Sequence, residues 1–270
     1  MLRDFTQEQF DIIIQAGQSN SDGFGTGEVG FLEQYFPNEN VWQLNNDFTN
    51  NVFKFEKFTN DKFTISMAQE RAGGAYSNSS ASLFFAREYV NSGRLENGRK
   101  ILIVRAAVGA TGFVDGRWKV GDELYGKMID MTKTALDLNS GNRLTVMLWH
   151  QGESDAGWGA DYETHYKNLS TMLTTYRETF NCVNLPVVTA DFVQEWKEKN
   201  IEKAGPISNA VRDVCSNIGR AKFIETDGLL PNKYVTAGSE DDIHFSRKAL
   251  MELGKKYFEA FCEITGENAE

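Results

Sequence analysis

A serine hydroxyl becomes a useful nucleophile when a histidine can take its proton and a carboxylate orients that histidine. The chain holds three histidines: His150, His165 and His244. Of these, His244 has an aspartate three residues before it, in Asp241-Asp242-Ile243-His244. One turn of chain would let Asp241 meet the imidazole at Nδ1 and leave Nε2 for a serine. Asp242 is the rival orienter, and because adjacent side chains diverge, one of the two should serve. A solvated acidic loop over Glu240-Asp241-Asp242 is the plainer reading of these carboxylates, and the spacing alone is a weak signal. His165 falls within an amphipathic helical pattern and is expected on the surface. His150 reads as a satisfied, semi-buried histidine rather than as a competing base.

The serine with the most suitable setting is Ser19, in Gly17-Gln18-Ser19-Asn20 directly after an apolar run. At a strand-to-helix turn it would be exposed and backed by backbone N–H groups that suit an oxyanion. A plain helix cap is the competing reading. Val108-Gly109-Ala110-Thr111-Gly112 follows another apolar run, and its glycines let a backbone N–H approach a ligand. An ordinary glycine loop would look the same. In Trp149-His150-Gln151-Gly152-Glu153-Ser154-Asp155, Gln151 could donate its amide to developing negative charge. Glu153 could hold neighbouring backbone or cap the next turn. Trp118 and Trp158 suit either stacking on a sugar ring or a place in the core or a lid.

These residues need a frame. Asp11–Ala16, Lys100–Ala106, Leu144–Trp149, Pro186–Ala190 and Ala221–Glu225 are short apolar runs that read as strands covered on both faces. Apolar residues three and four apart predict helices over Tyr162–Phe180 and Arg247–Cys262, the latter capped by Ser246. Leu124–Leu138 and Ser80–Asn91 are further helices. Their alternation predicts one α/β domain over 1–270, with an irregular insertion around 23–74 that includes short strands such as Val52–Phe58. Ligands in such sheets sit beyond the carboxyl ends of the strands, where the polar blocks fall.

The net charge is −10 with 38 acidic against 28 basic residues, which makes nucleic acid a poor partner and mildly disfavours polyanions. Cys182, Cys215 and Cys262 are far apart and form no metal or disulfide pattern, and the histidines lack ligand spacing. No stretch has the length and apolarity of a membrane span, and the N-terminus lacks a signal-peptide run. A cytoplasmic protein that does not bind membranes is expected, or a secreted one if a leader has been removed. Nothing in the sequence points to an oligomeric state.

Gly17-Gln18-Ser19-Asn20, Gly109-Ala110-Thr111, His150-Gln151-Gly152-Glu153-Ser154 and Asp241-x-x-His244, in that order, resemble the SGNH hydrolase superfamily. The likeness is to its sialate O-acetylesterase and carbohydrate esterase family 6 branch. It implies a flavodoxin-like three-layer α/β/α sandwich with a central parallel sheet. It also implies Ser19 as nucleophile, His244 as base, Asp241 as orienting acid, and an oxyanion hole from Ser19, Gly109 and Gln151. The expected reaction is removal of O-acetyl groups from an acetylated sugar through an acetyl-serine, with no metal or organic cofactor. Lipase or thioesterase specificity, a decayed carbohydrate-binding protein, and, more distantly, a metal-dependent hydrolase are the rivals. Two positions depart from the family pattern: Ser21 stands where Met is frequent, and Ala110 where a second glycine is frequent.

Overall fold

A computed structural model of the chain describes residues 4–27, 35, 37–45, 56–57, 63–70 and 79–266. Eight strands are described: β1 (Gln9–Gly17), β2 (Val41–Asn45), β3 (Glu56–Lys57), β4 (Thr64–Met67), β5 (Arg99–Arg105), β6 (Arg143–His150), β7 (Val187–Ala190) and β8 (Ala221–Ile224). They form one sheet in the order β3-β4-β2-β5-β1-β6-β7-β8. The six strands from β2 to β8 in that order run parallel. β4 pairs antiparallel with β2, and β3 antiparallel with β4. The expected parallel sheet is therefore correct for its centre and incomplete at one edge.

That edge comes from the region read as an insertion. β2 is a parallel neighbour of β5 with Leu44 opposite Val104, so part of the region belongs to the central sheet. Of the strand expected at 52–58, Glu56–Lys57 is a strand, while 52–55 and 58 lie outside the described residues.

β1 is buried on both faces, as its run of isoleucines requires. Ile12, Ile14 and Ala16 join one core with Met128, Met131, Leu169 and Leu173. Ile13 joins the other with Phe84, Phe85, Leu250 and Leu253. Helices α3 (Glu123–Asp137) and α5 (Tyr162–Thr179) thus cover one face, and α2 (Ala81–Asn91) and α8 (Arg247–Thr265) the other. Each large apolar side chain fully buried in these layers contributes about 1.5–3 kcal/mol. Ser246 caps α8, its Oγ accepting from the Ala249 N–H at 3.2 Å. At the amino end of β1, opposite the polar blocks, buried Asp11 accepts from Arg99 Nε and Arg143 Nε, both at 2.7 Å.

His165 corrects an expectation. It is fully buried, not on the surface. It lies four residues before Leu169 and so shares the inward face of α5. Trp118 is also fully buried and packs edge-on against Trp149. No helix among the described residues is long and apolar enough to cross a membrane.

Candidate active site

Ser19 opens α1 (Ser19–Asp22), directly beyond the end of β1. The turn depends on Gly17, whose φ is +122° and where a Cβ would come within 2.1 Å of the His150 carbonyl oxygen. Gln18 then donates its N–H to that same oxygen at 2.9 Å, and its side-chain oxygen accepts from the Ser154 N–H at 3.1 Å. The ends of β1 and β6 are in this way stitched together beneath the serine.

His244 arrives from the other end of the chain, in the loop before α8. Its Nε2 lies 2.8 Å from Ser19 Oγ. Its Nδ1 lies 2.9 and 3.0 Å from the two Asp241 oxygens. The His244 backbone N–H also donates to Asp241 Oδ1 at 3.1 Å, closing the single turn of chain that the three-residue spacing suggested. An ionised carboxylate only accepts, so it fixes the proton on Nδ1 and leaves Nε2 to accept from the serine hydroxyl. Asp242 instead faces Lys199, with Nζ at 2.8 Å.

Two residues that no sequence signal singled out complete this part. Asn232, almost fully buried, donates from Nδ2 to Asp241 Oδ2 at 2.8 Å and to the Phe24 carbonyl at 2.9 Å. Its Oδ1 accepts from the Thr26 N–H at 2.8 Å. Phe24 stacks on the His244 imidazole with ring centroids 5.2 Å apart. Burial alone would raise the Asp241 carboxyl, but the donors on His244 and Asn232 outweigh it and hold the pKa at about 2.

The glycine block lies across the serine. A Cβ built on Gly109 would sit 3.6 Å from Ser19 Cβ and from the Phe24 ring. Ala110 follows with a left-handed φ of +56°. Among the described residues, no carbonyl or side chain accepts from the N–H of Ser19 or Gly109. Gln151 is more committed: its Nε2 lies 3.2 Å from Asp155 Oδ2, 3.3 Å from the Thr111 carbonyl and 3.4 Å from Gln18 Oε1. Asp155, fully buried, also accepts from the N–H groups of Phe113 and Val114 and from His165 Nδ1 at 3.1 Å. Trp118 donates from Nε1 to Thr111 Oγ1 at 2.8 Å, so it braces this loop from the core. Trp158 is about half exposed just past α4 (Glu153–Gly157).

His150 is buried, with Nδ1 3.3 Å from the Tyr257 hydroxyl and Nε2 3.4 Å from Glu153 Oε1. Beside Asp241 and His244 opens a cleft of about 690 Å³, lined by Phe24, Thr26, Thr236, Ser239 and Glu240 among others. That is room for a small molecule with both apolar and polar surface, bounded by hydroxyls, the Glu240 and Asp241 carboxylates, His244 and one aromatic face.

The chain resembles several known proteins. A probable carbohydrate esterase of Arabidopsis thaliana, At4g34215, is 25% identical over 175 residues, which is 63% of this chain and 60% of that protein. The match therefore spans less than two thirds of that relative. The crystal structure of NanS superposes with a TM-score of 0.76 at 19% identity, covering 96% of this chain and 98% of that one. The structure of the Arabidopsis protein gives 0.67 at 20% identity, covering 94% and 98%. A carbohydrate acetylesterase from Xanthomonas citri gives 0.63 at 16% identity, covering 95% and 57%. At these identities the structures establish the shared α/β fold. The profile of one family, described as carbohydrate esterase, sialic acid-specific acetylesterase, matches residues 9–263. With nearly its whole length matched in this way, the chain belongs to that carbohydrate esterase family.

Proposed function

We propose that the protein removes O-acetyl groups from an acetylated sugar, with Ser19 as nucleophile, His244 as general base and Asp241 as its orienting acid. The carrying observation is the unbroken line of short hydrogen bonds from Ser19 Oγ through His244 to Asp241. Ser19 Oγ attacks the ester carbonyl while Nε2 takes its proton. The N–H groups of Ser19 and Gly109 face the carbonyl oxygen as it becomes an oxyanion. Gln151 joins them with one of its two Nε2 hydrogens, released from the long contacts with the Thr111 carbonyl and Gln18 Oε1, while Asp155 keeps the other and Gln18 keeps the Ser154 N–H. Removing one such donor typically costs about 100- to 1,000-fold in rate. The imidazolium then protonates the departing sugar oxygen, which leaves as a hydroxyl, and the acetyl group stays on Ser19. Water, deprotonated by the same imidazole, releases acetate and restores the serine.

The cleft is walled in part by His244, so a sugar seated there would lie beside the base that protonates it on leaving. Acetate release from a panel of acetylated sugars, alongside p-nitrophenyl esters of rising chain length, tests this reading. Acetyl esters are expected to be cleaved and butyrate and longer esters rejected, and Ser19→Ala is expected to lose at least about a thousandfold in turnover while keeping its fold. Equal turnover of long acyl chains would favour a lipase or thioesterase. Binding of acetylated glycan without acetate release would favour a decayed carbohydrate-binding protein.

A further inference from the structure

Asn20 neighbours the proposed nucleophile in sequence, yet its side chain is spent on the loop that carries the proposed base. Its Nδ2 donates to the Ile243 carbonyl at 3.0 Å, and its Oδ1 accepts from the Phe245 N–H at 3.0 Å. Ile243 and Phe245 are the two residues flanking His244. The second Nδ2 hydrogen goes to Glu153 Oε1 at 2.7 Å. The amide orientation follows from chemistry: a carbonyl and a carboxylate demand the NH2 group, and an N–H demands the oxygen. Asn20 and Glu153 are both almost fully buried.

We propose that Asn20 is a positioning residue that sets the reach of His244 to Ser19, and that Glu153 holds the Asn20 amide in the orientation this requires. The inference rests on Ser19 and His244 acting as nucleophile and base. The other backbone ties of the segment around His244 among the described residues go from the Asn232 N–H to the His244 carbonyl, from the Lys233 N–H to the Asp241 carbonyl, from the Ser246 N–H to the Leu230 carbonyl and from the Arg247 N–H to the Thr26 carbonyl, and none of them reaches the helix that begins with Ser19. Asn20 instead joins the peptides on both sides of the base to the helix that begins with the nucleophile, across more than 220 residues of chain. Proton transfer depends steeply on donor–acceptor distance, and a displacement of about 1 Å can cost about 100-fold. Glu153 is fit for its part: burial alone would raise its carboxyl, but the neighbouring His150 ring, 3.4 Å away, and the hydrogen bond from Asn20 bring it below the usual value, so it stays an acceptor.

Asn20→Ala, Glu153→Ala and Glu153→Gln, each also combined with His244→Ala, test the proposal on p-nitrophenyl acetate, with the folded fraction measured by circular dichroism. Asn20→Ala is expected to lower kcat about 10- to 100-fold with KM changed less than about threefold. Glu153→Ala should follow it, and Glu153→Gln, which keeps an acceptor oxygen, should recover most of the loss. In the His244→Ala background, Asn20→Ala should change the residual turnover less than about twofold, since residues acting as one unit are not additive. Should the alanine variant not fold, Asn20→Ser is read in the same way. A wild-type kcat per folded molecule, or an equal loss with and without His244, would overturn the proposal. Undiminished turnover in Ser19→Ala would instead remove the esterase reading beneath it.

Discussion

Asp241 is held by three donors at once, from the His244 ring, the His244 backbone and Asn232. They depress its folded-state pKa to about 2 from an ordinary 3.8. The stability this confers is present above the unfolded value and is lost as pH falls through the folded one. Asp241→Asn is therefore expected to flatten the decline of thermal stability between about pH 4 and 2, read by melting curves in that window. An unchanged acid decline would contradict the pairing. Ala110 is the other informative residue. At φ +56° an alanine carries about 1–2 kcal/mol of backbone strain that glycine does not. Part of that is offset by the freedom glycine regains on unfolding. Ala110→Gly is expected to raise stability by up to about 1 kcal/mol, and a lower melting temperature would refute the strain. Ser19, Asp241 and His244 were legible as residues because each sits in a short polar block after an apolar run or beside its partner in sequence. Asn232 and Phe24 were not. Asn232 lies nine residues from the carboxylate it holds, with no spacing rule to mark the pair, and Phe24 is one phenylalanine among 19.

At the scale of elements, the long periodic helices and both-face-buried strands were readable because their periods are carried by many residues. The five apolar runs read as strands all occur, with ends shifted by no more than two residues. β2 and β4 escaped notice because VWQLN and TISM are four or five residues long and polar in part. The surface assignment of His165 failed for a different reason: its polarity outweighed its register, although its spacing to Leu169 marked the inward face. The pairing of α2 with α8 depends on a small residue. A Cβ at Gly254 would come within 2.6 Å of the Ala81 carbonyl oxygen and of Phe84 Cβ. Gly254→Ala is expected to push the two helices apart and cost about 1–3 kcal/mol in chemical denaturation. Since α8 begins three residues after His244, loss of turnover should accompany the loss of packing. A variant as stable as wild type would show that the helices give way without strain.

Across the whole molecule, the charge of −10 sets a field that any charged substrate must enter. A sugar ester bearing a carboxylate is repelled, and salt shortens the range of that repulsion from about 30 Å at 0.01 M to about 8 Å at 0.15 M. The kcat/KM for O-acetylated sialic acid is therefore expected to rise roughly two- to tenfold over that interval, while that for an acetylated neutral sugar stays flat. A fall with salt would reveal a local cationic recess that the overall charge conceals. The sheet brings the ends of β1, β5 and β6 to one rim, and the last loop adds the imidazole there. That convergence was foreseeable from the order of blocks, but the distances between them were not, since they depend on side-chain packing across the whole sheet. The most direct measurement is mass mapping of the acyl-enzyme after mixing with p-nitrophenyl acetate and quenching in acid. The expected result is a single acetyl group on the peptide carrying Ser19, absent from Ser19→Ala. An acetyl group on another residue, with ester turnover surviving in Ser19→Ala, would contradict the account.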